Sequence, residues 1–206
     1  MAKYFDVHPA NPQPRAISQV VEILNRGGLV AYPTDSGYAL GTRLGNAEGL
    51  QRIRAIRGLG PNHHFTLVCS EFAQLGQFVQ MNNDVFRAVK AHTPGPFTFI
   101  LKATRDAPKV MLHPKKRTVG VRVPDHTTAL AVLREIGPLM SSSLILPGLD
   151  EPMVEGWQVL DELGGMLDAV LDSGDAGREL TTIVDLSGDE PEVTRLGAGD
   201  ASAFEA

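Results

Sequence analysis

Five short segments carry side chains suited to holding anions and hydroxyl-bearing ligands. The first is Pro33-Thr34-Asp35-Ser36-Gly37-Tyr38. It offers hydroxyls, a carboxylate and a glycine that lets a ligand approach the backbone. It follows a buried apolar run, the place where α/β proteins commonly bind ligands. The same residues also make a good turn, so the segment alone leaves both readings open. The second is Arg52-Ile53-Arg54-Ala55-Ile56-Arg57. Arg54 and Arg57 share a helical face, and like charges there cost about 0.2–0.5 kcal/mol unless an anion or carboxylate meets them. A solvated face is equally consistent.

The third segment is Val121-Arg122-Val123-Pro124, where an arginine interrupts an apolar strand. A buried guanidinium requires an anionic partner, either a protein carboxylate or a ligand carboxylate or phosphate. The fourth is Ser141-Ser142-Ser143. Small hydroxyls are poor strand formers, so they point to hydrogen bonds with a loop, a ligand or their own backbone. The fifth, Pro94-Gly95-Pro96-Phe97-Thr98, reads as a rigid turn before a strand, with Thr98 a lesser candidate. His63-His64 lack metal-pair spacing. Cys69 sits in an apolar run and reads as core. Lys115-Lys116-Arg117 reads as a solvated turn. The phosphate-loop and dinucleotide-binding glycine motifs are missing from the sequence.

The elements that must carry these residues alternate in type. Pro14–Arg26 reads as a helix with Ile17, Val20, Val21 and Leu24 on one face, stopped by Gly27-Gly28. Leu29–Tyr32 is expected as a strand ended by Pro33, and Asn46 as the cap of a helix running to Arg57. Phe65–Cys69 is expected as a strand, followed by a helix capped by Ser70 and another over Asn83–His92. Strands are expected at Phe97–Lys102, Val119–Val123 and Leu139–Ile145, with a helix at His126–Ile136. A helix at Trp157–Leu163 precedes three closing strands, Ala169–Leu171, Thr182–Leu186 and Val193–Leu196. This pattern implies a layered α/β (α+β) fold with a mixed sheet, the last two strands antiparallel, in a single domain over residues 1–206.

Composition bounds the remainder. The 206 residues are 43% hydrophobic and carry a formal charge of −5. That charge is uneven: residues 1–148 hold 17 Lys/Arg against 9 Asp/Glu, and the rest hold 2 against 15. The basic portion attracts phosphates. One cysteine excludes an intrachain disulfide, and neither a signal-peptide core nor an apolar run of membrane-spanning length is evident. The expectation is a cytoplasmic protein that does not engage a membrane.

In order, these segments resemble the YrdC-like family: a glycine-ended helix, Pro-Thr-Asp, an arginine-bearing helix, Pro-Gly-Pro-x-Thr, Val-Arg-Val-Pro, a serine-rich strand, Thr181-Thr182-Ile183-Val184-Asp185 and Arg195. Ser36–Leu40, Asn62–Leu67 and Ser143–Gly148 look most like its YciO branch. The resemblance implies a twisted mixed sheet flanked by helices, with a large concave, positively charged groove. It implies threonylcarbamoyl-AMP chemistry, from threonine, bicarbonate and ATP with Mg²⁺ as substrate, feeding tRNA modification, without a tightly bound cofactor or a resident metal.

By the same resemblance Thr34, Asp35, Arg122, Ser141 and Thr181 would bind substrate, and Arg54, Arg57, Ser143 and Arg195 would bind ATP or AMP. Arg57, Arg122 and Ser143 would take the catalytic roles. The synthases carry Lys-x-Arg where this chain has Arg57-Gly58-Leu59, and Ser-x-Asn where it has Ser143-Leu144-Ile145. Their following-strand histidine corresponds to Cys69. These departures open a second expectation: a non-synthase member of the YciO type that binds tRNA or double-stranded RNA and removes a threonylcarbamoyl group. A third is a non-catalytic binder of a small nucleotide.

Overall fold

Alternation of apolar residues along each strand sets two faces, and the helices decide which face stays open. The computed structural model describes residues 1–205. Its strands are β1 (Lys3–Asp6), β2 (Val30–Thr34), β3 (Gly37–Arg43), β4 (Thr66–Val68), β5 (Phe97–Lys102), β6 (Thr118–Arg122), β7 (Leu139–Ser143), β8 (Ala169–Asp172), β9 (Thr182–Asp185) and β10 (Glu192–Arg195). Its helices are α1 (Pro14–Asn25), α2 (Ala47–Arg57), α3 (Phe72–Phe78), α4 (Asn83–Ala91), α5 (Thr127–Ile136) and α6 (Gly156–Leu163). The strands form one mixed sheet in the order β1-β8-β2-β3-β7-β4-β6-β5-β9-β10. β9 and β10 pair antiparallel, as their spacing predicts.

One face buries Phe65, Leu67, Phe99, Val119, Val121 and Val184 with residues of α2, α3, α4 and α6. The other face buries Val30, Tyr32, Ala39, Leu139 and Leu171 under α1 and α5. Those two helices pack on the β8-β2-β3 half of the sheet. On the same face beyond them, Thr66 pairs with Gly120, Gly120 with Ile100, and Thr98 with Ile183. This row forms the floor of a groove.

The structure corrects several expected boundaries. β2 runs through Pro33 to Thr34 instead of ending at Tyr32. Pro33 is tolerated because β8 pairs β2 only at Val30 and Ala31, so the missing N–H lies where no ladder bond is made. The segment read as a loop is therefore a hairpin turn, and its second half starts β3, which the glycine-rich Gly37-Tyr38-Ala39-Leu40-Gly41 did not announce. Gly37 does meet a close neighbour, but a Cβ there would lie 2.5 Å from the Pro152 ring, so the chain itself occupies that approach. β1 was also unforeseen; it pairs parallel with β8 at the sheet edge. Ser70 does not cap α3, which begins at Phe72 behind Glu71; Gln74 Oε1 instead accepts from the Ser70 N–H at 2.9 Å. β7 ends at Ser143, where Leu144 N–H turns to the Tyr38 carbonyl.

Asn46 does cap α2. Its Oδ1 accepts from Gly49 N–H at 3.1 Å, while Nδ2 donates to Gly27 O at 2.9 Å and Thr42 Oγ1 at 2.7 Å. This side chain fixes the helix that carries Arg57 to the turn before β2. Asn46→Ala is expected to cost about 1–2 kcal/mol, read as a lower urea midpoint with an unchanged slope.

Candidate functional site

The groove begins at the hairpin turn between β2 and β3. Thr34 Oγ1 donates to Gly37 O at 2.7 Å and accepts from Ser36 N–H at 3.0 Å, so this hydroxyl shapes the turn. The turn projects Asp35 across β7 and β4 to Arg122 on β6, and the two form a buried ion pair. Arg122 Nη2 also reaches Ser36 Oγ at 3.2 Å. The arginine's anionic partner is thus a protein carboxylate. Arg122 Nε and Asp35 Oδ2 remain buried without a partner. A second segment clamps the turn: Gly177 N–H donates to Thr34 O at 2.8 Å, and a Cβ on Gly177 would lie 2.0 Å from Asp35 O. That segment is held by Asp175, which accepts from Ser173 Oγ and lies 3.0 Å from His126 Nε2.

Two clefts share Thr66, Thr98, Ser142 and Ser143 and so make one groove. The smaller, of about 300 Å³, is lined by Tyr32, Thr34, Arg122 and Ser141. The larger, of about 470 Å³, is lined by Arg57, His63, His64, Ile145, Thr181 and Arg195. Ser141 Oγ is already engaged with Leu40 O at 2.7 Å and the Tyr32 hydroxyl at 2.8 Å. Thr181 Oγ1 contacts Thr98 Oγ1 at 3.0 Å and accepts from Arg195 Nη2 at 2.8 Å.

The larger cleft holds two guanidinium groups and no carboxylate among its lining residues. Arg57 donates to Ile145 O at 3.3 Å and to Ser142 Oγ. Arg195 donates twice to Thr181 O, at 3.0 and 2.8 Å. Burial, followed by the charge of Arg195, pulls the Arg57 pKa down to about 10. Burial and then Arg122 lower that of Arg195. Each guanidinium remains charged but is short of negative potential, the electrostatic condition of an anion site.

Most of the residues singled out from sequence meet here: Thr34, Asp35, Arg122 and Ser141 at one end, Arg57, Thr181 and Arg195 at the other, and Ser143 between them. Arg54 is the exception. It donates to Gly60 O at 2.7 Å and lies over the Phe65 ring at 4.8 Å, which holds the segment after α2 from outside the cleft. The sequence pattern does not single out Tyr32 or Thr66, and it marks Ser142 only as part of the serine-rich strand and His63 only as half of an adjacent pair. Thr66 is detectable as the polar residue between buried Phe65 and Leu67. Many acidic residues of the C-terminal segment are structural: Asp168 pairs with Arg52, and Asp172 accepts from Tyr4 and Tyr38.

The family described as "Sua5_yciO_yrdC: Telomere recombination" matches residues 22–197. The chain belongs to the Sua5/YciO/YrdC family. It is 42% identical over 205 residues to YciO of Escherichia coli strain K12, covering 99% of this chain and all of that one. It is 32% identical over 160 residues to the threonylcarbamoyl-AMP synthase of Vibrio vulnificus, covering 75% of this chain and 84% of the synthase. The crystal structure of E. coli YciO superimposes with a TM-score of 0.97 at 41% identity, with full coverage of both chains. That of Pyrococcus abyssi Sua5 complexed with L-threonine gives 0.86 at 24% identity, over 94% of this chain and 57% of that one, which shows a shared fold.

Within this family fold the residues that depart from the synthase pattern have distinct fates. Leu59 is drawn toward the core. Ile145 stays in the cleft wall and presents its carbonyl to Arg57. Cys69 lies in the core on the opposite sheet face, where burial pushes its thiol up to about 12. Among the described residues no helix is long and apolar enough to cross a membrane.

Two outcomes follow from this geometry. Asp35→Asn leaves Arg122 buried without a counter-charge and is expected to lower stability by about 3 kcal/mol, measured by urea unfolding. Cys69 is expected to resist alkylation at pH 8 in the native protein, because the thiol is protonated and enclosed. It should react fully once urea unfolds the chain, as a mass-resolved time course would show.

Proposed function

We propose that the groove binds ATP and threonine side by side and serves threonylcarbamoyl-AMP chemistry. The observation that carries this reading is a pair of guanidinium groups without carboxylate partners, Arg57 and Arg195, beside a hydroxyl-rich end that holds Arg122. The V. vulnificus relative is named a threonylcarbamoyl-AMP synthase, and the P. abyssi structure is titled as a complex with L-threonine. Both agree with an amino acid and an adenylate as neighbouring ligands.

In this reading Thr34, Ser141 and Thr181 hold the threonine part, and Arg122 pairs with its carboxylate while Asp35 retains the Nη2 edge. Arg57, Ser143 and Arg195 hold the phosphates. Threonine and bicarbonate condense through the amine nitrogen, with loss of water, to N-carboxythreonine, whose carboxylate oxygen attacks the α-phosphorus of ATP. A carbon–oxygen–phosphorus anhydride forms, and the bond to the β-phosphate breaks with its electron pair leaving on pyrophosphate. Mg²⁺ enters with ATP as part of the substrate. The protein's contribution is orientation of the two reactants and charge stabilisation by Arg57 and Arg195.

A second reading is favoured by Ile145 in the cleft wall and by Leu59, which has joined the core. Those two positions give the ligand neither charge nor side-chain hydrogen bonds. Two lost charge-assisted contacts of about 1.5–3 kcal/mol each weaken transition-state stabilisation by about 10²–10⁴-fold. The groove would then hold tRNA or double-stranded RNA and release a threonylcarbamoyl group instead of making one.

Mass spectrometry of two reactions separates these readings. Threonylcarbamoyl-AMP and pyrophosphate from threonine, bicarbonate and MgATP support the first. Loss of the group from modified tRNA, with no adenylate formed, supports the second and removes the first. Under the first reading Arg57→Ala and Arg195→Ala are each expected to weaken MgATP binding by about tenfold or more in calorimetry. Unchanged affinity in both variants would mean that the phosphates do not lie in this cleft.

A further inference from the structure

His63 is a titratable cleft residue to which the proposed reaction gives no role. It lies on the segment between α2 and β4, half-buried, with its ring in the larger cleft. Its Nε2 is 3.4 Å from Arg57 Nη1 and 3.3 Å from Ser142 Oγ. A guanidinium N–H only donates, so Nε2 serves it as an acceptor, which requires the neutral ring. The ring edge meets Phe65 at 5.4 Å, fixing its orientation.

The charges that face His63 are all positive or neutral. Arg57 and Arg54 come from α2, Arg195 from β10, and His64 from its own segment. Burial and these groups together hold the imidazole down to about 4. The nearest resolved influence of an acid falls on His64, from Asp185, and not on His63. The neutral state of His63 therefore rests first on burial and then on Arg57, His64, Arg54 and Arg195 in that order, and a phosphate in the cleft would neutralise Arg57 and Arg195 among them.

We propose that His63 is a third phosphate ligand of this cleft, which takes up a proton as a polyphosphate docks against Arg57 and Arg195 and then donates it in a hydrogen bond to a phosphate oxygen. This rests on the reading that the cleft receives ATP. The physical sequence is direct. Phosphate charge cancels the field of Arg57, the largest Coulombic penalty on the imidazolium, together with the smaller one of Arg195, while His64 and Arg54 remain. The incoming oxygens add an attraction of the opposite sign. Threonine alone, held at the Arg122 end, leaves the Arg57–Arg195 field in place and brings no proton with it. The cleft thus favours highly charged ligands over singly charged ones by recruiting a cation only when the charge arrives.

The sign of the linkage fixes the experiment. A group whose titration point is raised on binding strengthens binding as pH falls through the bound value, by up to about tenfold per pH unit, and contributes nothing above it. Calorimetry of MgATP binding in two buffers of different ionisation heat, at about pH 6, compares the wild-type protein with His63→Gln. Glutamine keeps an acceptor for Arg57 and cannot become a cation, and the ligand's own titration is common to both proteins. The wild type is expected to take up protons in excess of the variant. Its affinity should rise toward low pH more steeply. Ring-proton NMR of His63 should show a titration point near 4 in the free protein moving up by two pH units or more with MgATP bound.

Equal proton uptake and equal pH profiles in the two proteins, with the NMR titration of His63 unmoved by bound MgATP, would overturn the inference and leave the cleft as an ATP site. Failure of MgATP to bind the wild-type protein at any pH would remove the cleft reading itself, and His63 with it.

Discussion

The ion pair between Arg122 and Asp35 is the constraint around which the groove is arranged. Both side chains are withdrawn from water, with exposures of 6% and 16%. Desolvating two ions costs several kcal/mol apiece, so the contact persists only if the surrounding backbone holds both in place. The turn that presents Asp35 is accordingly fixed from three sides: by Thr34 within it, by Gly177 above it, and by the antiparallel ladder of β2 and β3 beneath it. The pair spans β7 and β4, so it sets the distance from the hairpin turn to β6 and with it the width of the groove at that end. It remains incompletely satisfied, since Arg122 Nε and Asp35 Oδ2 have no partner. A site with buried polar capacity left over is one in which a ligand's hydrogen bonds replace nothing.

The groove exists because two layers cover the sheet unequally. One face is closed along most of its length by four helices. The other receives only α1 and α5, which seat against the β8-β2-β3 half. Strands are two-faced, so the residues opposite a continuous core at β4, β6, β5 and β9 have no helix to meet. They include the small or polar Thr66, Gly120 and Thr98, with Ile100 and Ile183 as the apolar part of the floor and Thr181 just before β9. Hydroxyls there keep the floor shallow and still offer hydrogen bonds. Arg57 and Arg195 reach this floor from opposite walls, from the last turn of α2 and from the edge strand β10.

The two ends of the groove differ in how their charge is balanced, and the functional proposals follow from that difference. At the Arg122 end the protein supplies its own carboxylate, so this arginine can orient a second carboxylate without depending on it. At the other end Arg57 and Arg195 lean on carbonyl and hydroxyl oxygens, which are weaker partners than an anion. In the proposed reading, affinity for a phosphate comes from that shortage. His63 responds to the same shortage in the opposite sense, since every cation that attracts phosphate also disfavours its own protonation.

Much of this was legible in the chain itself. Alternation and caps located the cores of most elements: the apolar face of α1, the asparagine that opens α2 and the β-branched runs of β5, β6 and β9. Each is a local preference that the packed structure reinforces. The arginine inside an apolar strand announced an anionic partner, from the protein or from a ligand, because a buried charge left unpaired is costly. What stayed hidden depended on neighbours remote in sequence. β3 has glycines where a strand signal is expected, and it forms because β2 and β7 flank it with open ladders. Pro33 continues a strand because β8 pairs with β2 only at Val30 and Ala31 and asks nothing of its N–H. Arg54 and Arg57 look alike on the helix, yet Phe65 and Gly60 draw one away while Ser142 and Ile145 draw the other in. Sequence by itself determined which residues carry charge, hydroxyl and periodicity, because those are properties of single side chains and their spacing. Only the tertiary structure decided that Asp35 answers Arg122, that Arg57 and Arg195 go without a carboxylate, and that His63 stands among them. Such charge balance is fixed by distances across the sheet that no local pattern encodes.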